Sequence, residues 1–321
     1  MSKENIIQTK NLTKYYGKSL GIENLNLEIF KGEIFGLLGP NGAGKTTTCR
    51  LLLDLIYKTS GTAKIFNLDV HHHSTEIRQR TAYLPGDLGL YQNKTAKRNL
   101  QYLLGLYENH IVLRRIEELA EIFSLDLDRK VKELSKGNKQ KVGIILALAP
   151  EVELLILDEP TSGLDPLITA EFYNILHKQQ KETGSTVLLS SHLLGEVERV
   201  AHRVGIIREG KIVEVATIQQ LRNMAMKEIK VDFKTKAALK QFSEKIPTGV
   251  VDSVMLNETH ASFMISREDL SKILNLLSQS EVIDIDVTSP TLEDIFLKYY
   301  ETSSSRLESL DNSKDKIEVE G

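Results

Sequence analysis

Apolar positions alternate with polar ones in LGIENLNLEIF (Leu20–Phe30) and run together in EIFGLLG (Glu33–Gly39), which predicts strands separated by polar turns. Directly behind lies a helical stretch, TTTCRLLLDLIY (Thr46–Tyr57). Between Thr95 and Phe123 the period is again helical, with Leu100, Leu103, Leu104 and Tyr107 and then Ile116, Leu119, Ala120 and Phe123 on common faces. Two compact apolar runs, ELLILDEP (Glu153–Pro160) and STVLLSSH (Ser185–His192), suit buried parallel strands, and helices between them predict an α/β arrangement. Past about Arg222 the pattern changes. KEIKVDF, KTKAALKQFSEKI, VVDSVMLN, HASFMIS, REDLSKILNLLSQ and EVIDIDV read as strand, helix, two strands, helix and strand, the split β-α-β-β-α-β order of a ferredoxin-like α+β domain. PTLEDIFLKYYE reads as a terminal helix with Pro290 near its start.

Length and composition widen this picture little. The 321 residues suffice for one large domain and a smaller one, and 41% hydrophobic with 26% charged residues is ordinary for a globular chain. A net charge of −3 provides no basic field for nucleic acid. The single cysteine, Cys49, excludes an internal disulfide and fits a reducing compartment. With no apolar leader and no run of the roughly 18–20 apolar residues that cross a bilayer, the expected location is cytoplasmic, with any membrane role exercised through a partner.

The chemistry is concentrated in a few stretches. Gly39–Thr46 reads GPNGAGKT, a complete G-x-x-x-x-G-K-[ST] between a predicted strand and a predicted helix. In that setting the backbone of Gly39, Pro40, Asn41, Gly42, Ala43 and Gly44 wraps phosphates, Lys45 adds charge, and Thr46 offers a hydroxyl to Mg2+, with Thr47 next in the same turn. LLILDEP ends a strand in two acids, Asp158 placed for magnesium and Glu159 to polarise a water. LSKGNKQK (Leu134–Lys141) opens another helix with a serine, a glycine and free N–H groups, an arrangement suited to an anion. His71–His73, three consecutive histidines in a polar turn, read as a solvated loop, because neighbours in sequence cannot all face one ion.

In order along the chain, GPNGAGKT, LSKGNKQKV, LLILDEP, SGLDP and the histidine of LLSSH resemble the motifs of ABC-transporter ATP-binding subunits over roughly Ile6 to Thr217. That resemblance implies a P-loop NTPase of ABC type over residues 1–220: a RecA-like core, an antiparallel β subdomain, and a helical subdomain at about 88–150. It implies two such domains sandwiching two ATP head to tail, as a homodimer or paired heterodimer, and a separate transmembrane permease. Ser135 and Gly137 then act on the γ-phosphate of the opposite protomer, Asp165 closes the D-loop, His192 is the switch histidine, and Tyr16 stacks on adenine, with Tyr15 the alternative. Tyr16 stands 29 residues before Lys45.

Two places depart from the family. LSGGQ is LSKGN here, and Gly86 in YLPGDLGLY stands where a glutamine is usual, leaving no side chain for magnesium unless Asp87 supplies an oxygen. The segment 226–301 resembles the extension of ATPase subunits of type-2 exporters, which points to export of a drug, antibiotic, peptide or lipid-like cargo. Residues 302–321, rich in serine and charge, read as a disordered tail. The competing expectations are a soluble ABC-type ATPase with a non-membrane partner, and a nucleotide-gated module with little turnover. A single P-loop, and only 113 residues without heptads between Lys45 and Asp158, argue against the tandem and coiled-coil soluble classes.

Overall fold

A computed structural model describes residues 4–105, 111–224, 227–246, 251–266 and 268–288. It divides the chain into two compact units, one up to Thr217 and one from Ile218. In the first unit the elements run β1 (Asn5–Tyr16), β2 (Ser19–Phe30), β3 (Ile34–Leu38), α1 (Lys45–Leu52), β4 (Ser60–Ile65), β5 (Leu68–Asp69), α2 (Ser74–Gln79) and β6 (Thr81–Leu84). There follow α3 (Ala96–Leu104), α4 (Ile111–Ile122), α5 (Lys136–Leu148), β7 (Leu154–Asp158), α6 (Pro166–Thr183), β8 (Thr186–Ser191), α7 (Leu194–Val200), β9 (Arg203–Arg208) and β10 (Lys211–Thr217). The second unit comprises α8 (Ile218–Met224), β11 (Lys227–Phe233), α9 (Lys236–Lys245), β12 (Val251–Asn257), β13 (His260–Ile265), α10 (Leu270–Ser278) and β14 (Val282–Thr288).

Among the described residues the first unit holds a six-stranded sheet, order β10-β9-β3-β8-β7-β6, parallel except for β10. A four-stranded antiparallel sheet, β2-β1-β4-β5, accompanies it. Every residue of β7 and β8 is buried, as expected of interior parallel strands covered on both faces. The two-residue period of a strand divides β7 between two cores. Leu155 and Leu157 pack with α3, α4, α5 and α6, while Leu154 and Ile156 pack with α1 and the antiparallel sheet. Asp158 continues the second set, so the alternation alone places its carboxylate on the α1 face.

The second unit is an antiparallel sheet, order β12-β13-β11-β14, with α9 and α10 packed on one side. The expected strand–helix–strand–strand–helix–strand sequence is therefore present. Ile218–Met224, which follows β10 in the chain, is helical, with Leu221 buried. The terminal helix expected from Pro290 and the tail at 302–321 lie outside the described residues. Among the described residues no helix is long and apolar enough to cross a membrane.

Candidate functional site

The loop after β3 is built around glycines that no other residue can replace. A Cβ on Gly39 would lie 2.3 Å from Ile207 O, and one on Gly44 would lie 2.7 Å from Ile22 Cγ2 and 2.9 Å from Gly21 O. Gly44 also caps α1 at φ 110, in the left-handed half of backbone space, and its helix has no side-chain cap. Thr48 N–H is bonded to Gly44 O at 2.9 Å, so the N–H groups of Lys45, Thr46 and Thr47 ahead of it have no acceptor in the preceding helical turn. Pro40, Asn41 and Gly42 are exposed, Ala43 is buried, and the side chains of Thr46 and Thr47 are half-buried beside the loop.

Lys45 is only 5% exposed, yet its ammonium is well partnered. Nζ donates to Gly39 O at 2.6 Å and to Pro40 O at 3.0 Å, and lies 3.0 Å from Glu159 Oε1, an ion-pair distance out of hydrogen-bond alignment. The other oxygen of Glu159 lies 2.6 Å from Nδ1 of His192. Three residues singled out from the sequence thus form one chain, Lys45–Glu159–His192, although 147 positions separate its ends.

The register of β7 against β8 explains the rest of this cluster. Asp158 pairs with Ser190, whose hydroxyl donates to Asp158 Oδ1 at 2.6 Å and accepts from Glu159 N at 3.1 Å. Asp158 is fully buried, and its Oδ2 has no hydrogen-bond partner. A Cβ on Gly86 would lie 3.5 Å from that oxygen, so the position lacking the usual glutamine does face the carboxylate. Asp87 is exposed. Burial, reinforced by the charge of Asp158, pushes the Cys49 thiol well above its usual range. The Tyr83 phenol is raised mainly by burial, with Cys49 and Asp158 adding to it.

The two candidate tyrosines have different surroundings. Tyr16 ends β1 at a two-residue turn to Ser19, with Gly17 at φ 61. Its ring is 46% exposed, its hydroxyl is 3.4 Å from Thr47 Oγ1, and a Cβ on Gly21 would strike it at 2.9 Å. The Tyr15 hydroxyl instead lies 3.3 Å from Glu23 Oε1. Tyr16 is therefore the tyrosine beside the phosphate loop.

Ser135 caps α5, its oxygen accepting from Asn138 N at 3.2 Å, which leaves the hydroxyl hydrogen free to donate elsewhere. The third and fourth positions of LSKGN have different tasks. A Cβ on Gly137 would lie 2.7 Å from Gly163 O, so that glycine is required. The Lys136 stem covers the bare Cα of Gly163, at φ 80, which any long aliphatic stem can do. Asp165 caps α6, accepting from Ile168 N at 3.0 Å. Among the described residues no hydrogen bond or ion pair joins Ser135 or Asp165 to the Lys45–Glu159–His192 chain.

Sequence reasoning missed three side chains that hydrogen-bond beside the site. They are Ser190, the buried Gln140, and Glu196, whose carboxylate accepts from Thr161 Oγ1 at 2.8 Å and from Ser191 Oγ at 2.9 Å. A serine, a glutamine and a glutamate carry no signature by type; only the partners that folding brings to them do. His71 and His72 contact Asp54 and Asp69 in an exposed turn, and among the described residues no group of three or more potential ligands could hold a metal.

The residues present fit a nucleoside triphosphate with magnesium. A glycine-lined cradle ends in uncapped N–H groups, a lysine stands at its floor, and a buried carboxylate keeps an oxygen unpartnered. A profile of the ABC transporter family matches residues 22–162. The bacitracin transport ATP-binding protein of Bacillus licheniformis is 35% identical over 315 residues, 91% of this chain and 96% of that protein. The linearmycin resistance ATP-binding protein of Bacillus subtilis is 30% identical over 303 residues, 91% of this chain and 97% of that protein. Among solved structures, the ATP-binding subunit of an ABC transporter superposes with a TM-score of 0.63 at 30% identity, over 68% of this chain and 92% of that one. A dimeric ATP-binding cassette in a post-hydrolysis state, bound to ADP and Pi, gives a TM-score of 0.61 at 25% identity, over 66% and 98%.

Proposed function

This chain belongs to the ABC transporter family, among its ATP-binding proteins, and on that premise we propose that it binds and hydrolyses ATP to drive a separate transmembrane permease. The observation that carries the reading is the Lys45–Glu159–His192 chain at the mouth of the phosphate loop, beside the unpartnered oxygen of Asp158. Each residue has a role that follows from its position. The α1 N–H groups and Lys45 hold the phosphates, Tyr16 offers its ring to the base, and Thr46 and Asp158 hold magnesium. Magnesium held there would supply positive charge that neutralises the phosphates.

Glu159 accepts the proton of the attacking water, and His192 keeps that carboxylate turned toward the γ-phosphate. Phosphate competes with Glu159 for Lys45, because both are anions within reach of one ammonium. Ser135, Gly137 and Asp165 serve a second copy or a paired subunit: the α5 N-terminus offers a hydroxyl and N–H groups to the nucleotide held by the partner's loop. Relatives named for bacitracin transport and linearmycin resistance support export of a drug, antibiotic or peptide-like cargo. A permease partner would hold the chain at the inner face of the membrane.

The test is turnover of the purified chain with magnesium and ATP. Glu159→Gln should slow phosphate release by about 10²–10⁴-fold, the range for a positioned base, while ATP still induces a dimer. Ser135→Arg should preserve nucleotide binding and abolish that dimer in light scattering. A wild-type chain that binds ATP but releases no phosphate, even with its permease, would replace the enzyme by a nucleotide-gated module, the reading that Gly86 favours.

A further inference from the structure

Glu159 stands at φ 50, in a left-handed conformation that is unfavourable for a non-glycine residue and persists only where neighbours enforce it. On its N-terminal side the enforcement comes from β8, since Glu159 N–H faces both Ser190 O at 3.2 Å and Ser190 Oγ at 3.1 Å. The C-terminal side is held from a different element. Gln140, on α5 and 5% exposed, donates through Nε2 to Pro160 O at 2.7 Å, with Glu159 O at 3.4 Å from the same nitrogen. One turn earlier on that helix Gly137 packs against Gly163 O, and Lys136 lies over Gly163. The face of α5 formed by residues 136, 137 and 140 is thus seated on the loop 159–163.

We propose that Gln140 is a positioning residue for Glu159, and that it fastens the helix start bearing Ser135 to the water-activating carboxylate of the same chain. A buried amide can give its N–H groups to carbonyls only where those carbonyls stay put, and an unmatched one is costly. The bond therefore fixes the peptide that follows Glu159, and with it the direction of the carboxylate. It also makes the pose of Glu159 sensitive to any shift of α5. The helix that serves the second copy's nucleotide is, by this contact, the helix that steadies this copy's base. The inference rests on the reading of Glu159 as the base.

Gln140→Met keeps the length of the side chain and removes the donor. It should lower kcat about tenfold, with KM for ATP changed less than about twofold, because the phosphate loop is untouched. A role in packing alone would act equally whatever occupies position 159. The deciding measurement is therefore a double-mutant cycle: in an Glu159→Gln background, Gln140→Met should change the residual rate less than about twofold. Losses that multiply, or a kcat that Gln140→Met leaves intact, would overturn the proposal. Gln140→Ala, which leaves room for water at the carbonyls, serves the same cycle if the methionine variant does not fold. Absence of turnover in the wild-type chain would instead overturn the functional reading itself.

Discussion

The parallel sheet of the first unit and the antiparallel sheet of the second bury their strands in opposite ways, and the difference shows where chemistry can be placed. In the first unit β7 and β8 are buried along their whole length, and apart from Thr186 at the start of β8 their polar residues stand at their C-terminal ends. Asp158, Ser190, Ser191 and then Glu159 and His192 all lie there. In the second unit one face of the sheet is covered, with Ile229, Val231, Phe233, Phe263 and Ile265 beneath α9 and α10. The other face carries charge along its strands: Glu228, Lys230 and Asp232 on β11, and Asp284 and Asp286 on β14. Those charges are spread in rows at strand spacing. At the ends of the parallel strands they converge on one point, which is the general rule for ligand sites in open α/β sheets.

The sharpest way to break the comparison is Gly44→Val. Its side chain would meet Ile22 and the Gly21 carbonyl in a backbone conformation that valine resists, so turnover should fall by at least about 10³-fold. Amide exchange of β11 and β13 should be unchanged in the same sample, because the buried cluster they belong to is built, among the described residues, from residues of the second unit. Phe242→Ala tests the reverse. Phe242 is 1% exposed, with ring centroids 5.2 Å from Phe233 and 5.7 Å from Phe263, and its loss should cost the second unit about 3–5 kcal/mol by exchange. ATP turnover should stay within about twofold; a parallel fall would show that catalysis depends on the second sheet.

Ser190→Ala removes the hydrogen bond that the Ser190 hydroxyl donates to the Asp158 carboxylate. A hydrogen bond to a charged group is worth about 1.5–3 kcal/mol, so magnesium-supported turnover should drop by roughly 10- to 100-fold. The smallest effect belongs to Asp284→Asn. Asp284 stands directly opposite Asp232 on the neighbouring strand, and like charges in that relation repel. Removing one should favour folding of the second unit by about twofold, measured by exchange, without changing turnover.

Part of the site was legible because its members are neighbours in sequence. Gly39 to Thr46 must all lie on one loop, and Gly44, Lys45 and Thr46 have their tasks fixed by type and spacing. The strand–helix order of the second unit was legible for a similar reason, since alternation and helical period are local. What was not legible involves ordinary residues brought together from afar. Ser190 reads as one more polar residue at a strand end until register sets it beside Asp158. Gln140 reads as the polar side of a helix until the loop after Glu159 is laid on it. Lys136, a departure from the family motif, became intelligible only when its stem was seen to cover Gly163.

The sequence by itself determined the strand and helix periods, the phosphate loop, the paired acids at the end of β7, and the order of motifs that marks the family. These depend on local backbone preference and on side-chain type, which travel with the chain. The tertiary structure set the Tyr16 hydroxyl against Thr47 and the Tyr15 hydroxyl against Glu23. It also decided that Lys45, Glu159 and His192 form one chain, and that the helix beginning at Ser135 braces Glu159 through Gln140. Each of those is a contact of about 3 Å between residues far apart in sequence, and such contacts are set by strand register and packing, which no local pattern encodes.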